Sequence, residues 1–216
     1  MTPRFWIAAG GALVLAGAAV AYAQSQGTEE PDFTPVVSDG AFELRDYPAL
    51  VVAEITHSGT RQAASSRSFR RLAAYIFAQD RPAGGERIAM TTPVLQDRVA
   101  RDEKIAMTAP VMQERVGGDS WRMRFVMPAK YTLDTLPEPP ADIALSEIPA
   151  RRMATVRFAG NGSPADLAEQ EQRLAEWVEA QGLRPRGGFE YAFYNAPMVP
   201  GPLRRNEVMI AVEEDR

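Results

Sequence analysis

Residues 41–80 read AFELRDYPALVVAEITHSGTRQAASSRSFRRLAAYIFAQD, and the pattern changes once along the way. Up to Gly59 the apolar residues alternate with polar ones and are rich in Val, Ile and aromatics. That predicts one long strand, or two strands bent at Pro48. From Thr60 onward the period is helical, with Phe69, Leu72, Ala73, Ile76 and Phe77 on one stripe. Thr60 suits an N-cap, and RPAGGE at 81–86 suits the stop.

The same order returns later in the chain. IALSEIP and ARRMATVRFAG (143–160) read as strands. Ser163 then caps a helix that has Pro164 at its first position and Asp166 in its first turn. Leu167, Leu174, Trp177 and Val178 form its buried stripe, and Gly182 ends it. FEYAFYN (189–195) and EVMIAV (207–212) follow as strands. Between the halves, SWRMRFVMP (120–128) alternates Trp121, Met123, Phe125 and Met127 with Arg122, Arg124 and Val126, as a half-buried strand would. Two halves of one order imply an α+β fold: antiparallel strands in a curved sheet or open barrel, with two helices packed on it.

Composition bounds the function. Of 216 residues, 45% are apolar and 24% charged, as in a globular domain, and the net charge is −4. No basic field points to nucleic acid. With no Cys, the chain has no disulfide, thiol nucleophile, Cys-ligated zinc or iron–sulfur cluster. Arg4, an apolar run from Phe5 to Val20 and then Ala21-Tyr22-Ala23 have the order of a secretory signal peptide over residues 1–23. A periplasmic or secreted domain is expected, the alternative being an uncleaved segment that tethers it to the inner membrane. Residues 24–40, with Pro and acids in TEEPDFTPVVSDG, read as a linker before a domain at 41–216.

One phrase is written twice: ERIAMTTPVLQDR at 86–98 and EKIAMTAPVMQER at 103–115. Read as extended, each is a strand whose pairing breaks after Met-Thr, because Pro93 and Pro110 lack a donor N–H. The link VARDE suits a hairpin between the copies, with Met90 near Pro110 and Pro93 near Met107. Met here fits either a core strand or the wall of a site for a flat apolar ligand.

KIAMTAPV running into WRMRFVMP, the opening FELRDYPA and the closing YNAPMVPGPLRRNEVMIAV resemble the SOUL haem-binding family. The resemblance covers about residues 41–213. It implies a distorted antiparallel β-barrel of two pseudo-symmetric halves with two helices, and binding of haem or another tetrapyrrole in an apolar cleft beside the first helix. On that reading Phe69, Leu72, Tyr75, Ile76 and Met107 would contact the ring, and Arg67, Arg70 and Arg71 the propionates. The His that some members carry after the Arg of the opening strand is Asp46 here. His57, the one His, is the remaining imidazole for iron, and regular alternation would put it on the opposite strand face from Asp46. Arg204-Arg205-Asn206-Glu207 suits either a propionate or partner contact, or Arg–Glu pairing at a turn. No catalytic constellation is apparent: there is no G-x-S-x-G, metal cluster or phosphate loop. The alternative function is a module for another hydrophobic small molecule or a protein partner, like the effector-binding domains of bacterial regulators.

Overall fold

The computed structural model describes residues 28–99, 120–196 and 198–214. Its strands are β1 (Thr34–Asp39), β2 (Phe42–Tyr47), β3 (Leu50–Ser58), β4 (Val94–Arg98), β5 (Ser120–Val126), β6 (Ala144–Ile148), β7 (Arg151–Phe158), β8 (Leu183–Phe193) and β9 (Asn206–Glu214). Helix α1 spans Arg61–Ile76 and α2 spans Pro164–Ala180. The nine strands form one sheet in the order β1-β2-β7-β9-β8-β4-β5-β3-β6, and the ladders between them are antiparallel. The sheet is curved but not closed, so of the two expected architectures the open curved sheet forms.

The two halves are explicit in the topology. The unit β3–α1–β4–β5 has spatial order β3-β5-β4, and β7–α2–β8–β9 has order β7-β9-β8. The units meet where β4 pairs with β8, Val94 opposite Phe193 and Gln96 opposite Tyr191. β2, which leads into the first unit, pairs with β7 of the second; β6, which leads into the second, pairs with β3 of the first. Each unit thus covers an open edge of the other.

Both helices lie on one sheet face. Under α1, Leu72, Tyr75 and Ile76 pack on Ala53, Ile55, Met123 and Phe125. Under α2, Leu167, Leu174 and Trp177 pack on Ala154, Val156 and Val208. The opposite face has its own core, centred on Val52, Leu95, Val126, Met153, Ala192 and Met209.

The helix ends show how local chemistry sets the elements. Ser163 and Asp166 make a reciprocal capping box, Asp166 N–H to Ser163 Oγ at 3.2 Å and Ser163 N–H to Asp166 Oδ2 at 3.0 Å. Thr60 caps α1 through Ala63 N–H at 3.4 Å. At the other end α1 stops at Ile76, before the RPAGGE stretch expected to stop it. Ala78 turns the backbone left-handed at φ 57°, and buried Arg81, the first residue of that stretch, donates to the Tyr75 carbonyl at 2.7 Å and the Ile76 carbonyl at 2.9 Å, satisfying acceptors that a helix end leaves unpaired.

Three further expectations need correction. Residues 34–39, assigned to a linker, form β1, which pairs with β2 and carries the chain in as an edge strand. β5 is not half-buried: Arg124 and Val126 are as enclosed as Met123 and Phe125, because the sheet curls over its helix-free face. In the first Met-Thr phrase the ladder follows the Pro instead of preceding it, since β4 begins at Val94. Thr91 instead bridges Glu29, and its hydroxyl donates to the Val126 carbonyl. The second copy, the hairpin expected between the copies, and Met107 lie outside the described residues.

Candidate binding site

Around α1 the expected site residues separate into three groups. Leu72, Tyr75 and Ile76 are fully buried, so they are core side chains and line no open slot. The Tyr75 hydroxyl is likewise spent, donating to the Pro137 carbonyl at 2.7 Å. Arg71 is held by Asp142, through two bonds of 2.6 Å, and by Asp80. Phe69, Arg67 and Arg70 remain on the surface. Phe69 is 37% exposed and meets Phe125 edge-on at 5.4 Å. Arg67 donates to the Ser58 carbonyl and Arg70 to the Ser66 carbonyl, through one guanidinium nitrogen each.

His57 sits at the end of β3, beneath α1, with Nδ1 2.8 Å from Ser68 Oγ. Burial, then the Arg67 charge, lowers its pKa from the ordinary value, so the ring is neutral at pH 7. The expected opposition to Asp46 does not hold. The strand breaks at Pro48 and Ala49, which resets the alternation. Asp46 follows Leu44 and His57 follows Ile55, and both are on the helix side. Asp46 is paired with Arg152 at 2.7 and 2.9 Å, which holds its carboxyl below the ordinary range.

The helix-free face was not foreseen as a site, and it carries most of the buried charge. Arg45 and Glu207 form a two-pronged pair of 2.8 and 3.1 Å, 4% and 1% exposed. Tyr194 O–H also donates to Glu207, at 2.7 Å. Glu207 therefore hydrogen-bonds to the opening strand, and its Arg205 neighbour makes a longer ion-pair contact of 3.9 Å with it, as Arg–Glu pairing at this turn implied. Arg205 also stacks 3.4 Å over the Tyr194 ring and pairs with Glu30 at 2.5 Å. Asn206 closes the turn, donating to the Gly160 carbonyl at 2.9 Å. Arg124 bonds Asp97 and Glu54 at 3.0 and 2.9 Å, and Arg151 grips Glu190 at 2.5 and 2.9 Å. Between these pairs lies an apolar cavity walled by Tyr47, Leu50, Leu95, Val126, Met153 and Met209. Among the described residues no group of three or more His or acidic side chains is placed to hold a metal ion, and no helix is long and apolar enough to cross a membrane.

Burial by itself would raise the Glu190 pKa, but the Arg151 hydrogen bonds and the charges of Arg151, Arg124 and Arg122 outweigh it and hold the carboxyl below its ordinary value. The folded state then binds fewer protons than the unfolded chain. The stabilisation is complete above the unfolded carboxyl value and is lost as pH falls through the folded one. Urea midpoints measured from about pH 7 down to about pH 3 should therefore fall steeply for the native chain. They should fall less steeply for Glu190→Gln, which starts less stable at neutral pH. Equal slopes would show that Glu190 does not carry this dependence.

A family model for the SOUL heme-binding protein matches residues 28–211. The chain belongs to the SOUL haem-binding family. The match begins ahead of β1, which agrees with that strand being part of the SOUL domain. No curated protein matches. Among solved structures, this SOUL chain is similar to the C-terminal domain of EcmrR (13% identity, TM-score 0.57, covering 81% of this chain and 98% of that one). It is also similar to a hydrolase from Listeria innocua (12% identity, TM-score 0.53, 82% and 94%) and to an uncharacterised conserved protein from the same organism (12%, 0.54, 80% and 92%). At such identities the likeness is one of fold. It reinforces the two-unit sheet with two helices seen in this SOUL domain.

Proposed function

We propose that the protein is an exported haem- or tetrapyrrole-binding protein that carries or buffers its ligand and does no chemistry on it. Family membership supports the ligand class. The leader-like order of residues 1–23 supports export. For the site, the observation that carries the reading is Phe69: a large apolar ring left exposed on α1, with Arg67 and Arg70 on the same helix. An apolar contact for the ring and cations for two propionates are what a haem edge requires. Half-buried His57, at the end of β3, offers Nε2 as the one imidazole nitrogen left, since Nδ1 is engaged with Ser68. Binding then rests on apolar contact and charge, with iron weakly ligated. When bound, haem would supply the iron and its redox chemistry; this chain's residues hold the ring and its carboxylates.

The test is a haemin titration followed in the Soret band, on the natively exported protein, whose N-terminus is expected at Gln24. Phe69→Glu, checked for folding by circular dichroism, should weaken binding about tenfold, the scale of one buried aromatic contact. His57→Ala should change it by less than about threefold. If His57→Ala instead abolishes a low-spin spectrum and most of the affinity, His57 is the axial ligand. If neither substitution matters, α1 is not the haem surface.

A further inference from the structure

The helix-free face is covered by a segment of its own chain. Residues 29–33 run across the apolar cavity, whose lining includes Glu30, Pro31 and Phe33. Besides the Glu29–Thr91 bridge and a Phe33–Tyr47 ring contact at 5.4 Å, four contacts pin the segment. The Glu29 carbonyl accepts from Thr92 N–H at 2.9 Å, and the Glu29 carboxylate accepts from Ala129 N–H at 2.7 Å. Glu30 pairs with Arg205 at 2.5 Å, and Phe33 lies 4.4 Å beneath the Arg45 guanidinium. With the segment in place the cavity holds about 20 Å³, room for a single water. Beyond Glu30 an open polar cleft begins, lined by Arg157, Asn195 and Arg205; Glu30 and Tyr194 border both spaces.

The segment therefore presents one carboxylate to an arginine, and Pro31 with one side of the part-exposed Phe33 ring to an apolar cavity. Arg205 also has capacity left over. Its Nε–H is buried, lies 3.9 Å from Glu207 and makes no hydrogen bond. We propose that this face is a second binding site, separate from the α1 surface, for an apolar carboxylic acid that displaces residues 29–33, its carboxylate taking the place of Glu30 on Arg205 and its hydrocarbon body that of Pro31 and Phe33. Glu30 is then an internal competitor. The segment is a suitable latch because its ties are few and its ion pair is partly exposed, so releasing it breaks little of the core. The proposal does not depend on the haem reading, since the two surfaces are on opposite faces of the sheet.

The test uses the full chain and cis-parinaric acid, a fluorescent fatty acid, beside its methyl ester. The acid should bind saturably and about tenfold or more tighter than the ester, the worth of a charge-assisted contact to arginine. Glu30→Gln should tighten the acid about fivefold by weakening the competitor. Arg205→Gln should remove the preference for acid over ester. Should Arg205→Gln fail to fold, hydrogen exchange on the native chain decides: saturating acid should accelerate the Thr92 and Ala129 amides, which Glu29 protects, and leave the Ala154 amide in β7 unchanged. No saturable binding overturns the proposal, as do equal affinities for acid and ester, or Thr92 and Ala129 amides that stay protected at saturation. Loss of haemin binding in Phe69→Glu with parinarate binding intact would separate the two sites.

Discussion

Glu207→Ala is expected to lower folding stability by about 3–5 kcal/mol, measured as the shift in a urea unfolding midpoint at constant slope. The reason is what the substitution leaves behind. Arg45 is 4% exposed, and its two bonds to Glu207 neutralise it inside the sheet. Burial alone would lower the Arg45 pKa, but the Glu207 hydrogen bonds and charge outweigh this and keep the guanidinium protonated. Without Glu207 that charge is buried with only half-buried Glu43 at 2.6 Å to offset it, and Tyr194 O–H loses its acceptor. Removing both ends should cost less than the two single losses combined, because an apolar pair of similar volume leaves no orphan charge. Arg45→Met with Glu207→Leu is that comparison. A single loss under about 1 kcal/mol would mean that water reaches Arg45 and that this face is more open than described.

Leu72→Ala should cost about 3 kcal/mol. Leu72 is fully buried and sits in the cluster of Ala53, Ile55, Met123 and Phe125, between α1 and the β3–β5 ladder. The loss combines the transfer energy of the deleted methyl groups with the cavity left in a close-packed layer. A charged residue there should prevent folding, since a carboxylate would be buried without a partner. Leu72 is therefore a position for testing the core, and Phe69 is the position for testing haem. Thermal melts of Leu72→Ala and Phe69→Ala check the distinction: the first should lower the midpoint by several degrees, while the second, already 37% exposed, should lower it much less. Equal drops would place Phe69 in the core as well and remove the observation on which the α1 surface rests.

What the sequence by itself determined is mostly local. Alternation along 41–59 and the break at Pro48 foretold β2 and β3. The Ser163, Pro164 and Asp166 start, with Leu167, Leu174, Trp177 and Val178 as the stripe, foretold α2 and its buried face. The repeated order of strand, helix and strands foretold the two halves. These signals act within a turn or a pleat, so the residues that carry them are neighbours in the chain. The resemblance that named the haem ligand rests likewise on short stretches read in order. What only the tertiary structure decided depends on register and on which residues meet across the sheet. Arg45 and Glu207 are 162 positions apart and meet because β2, β7 and β9 stack side by side. β1 looks like a linker, since Pro, acids and small polar residues surround Val36 and Val37 in 28–40 and no alternation stands out; it pairs along the edge that β2 offers. Leu72, Tyr75 and Ile76 have the spacing of a stripe whether they line a cleft or fill a core, and the depth at which α1 docks chose the core. The arginines of β5 read as solvent-facing, yet the curl of the sheet buried Arg124 among acids supplied by β3 and β4. Periodicity says which side of a strand a residue takes; the curvature of the whole sheet decides whether that side meets water.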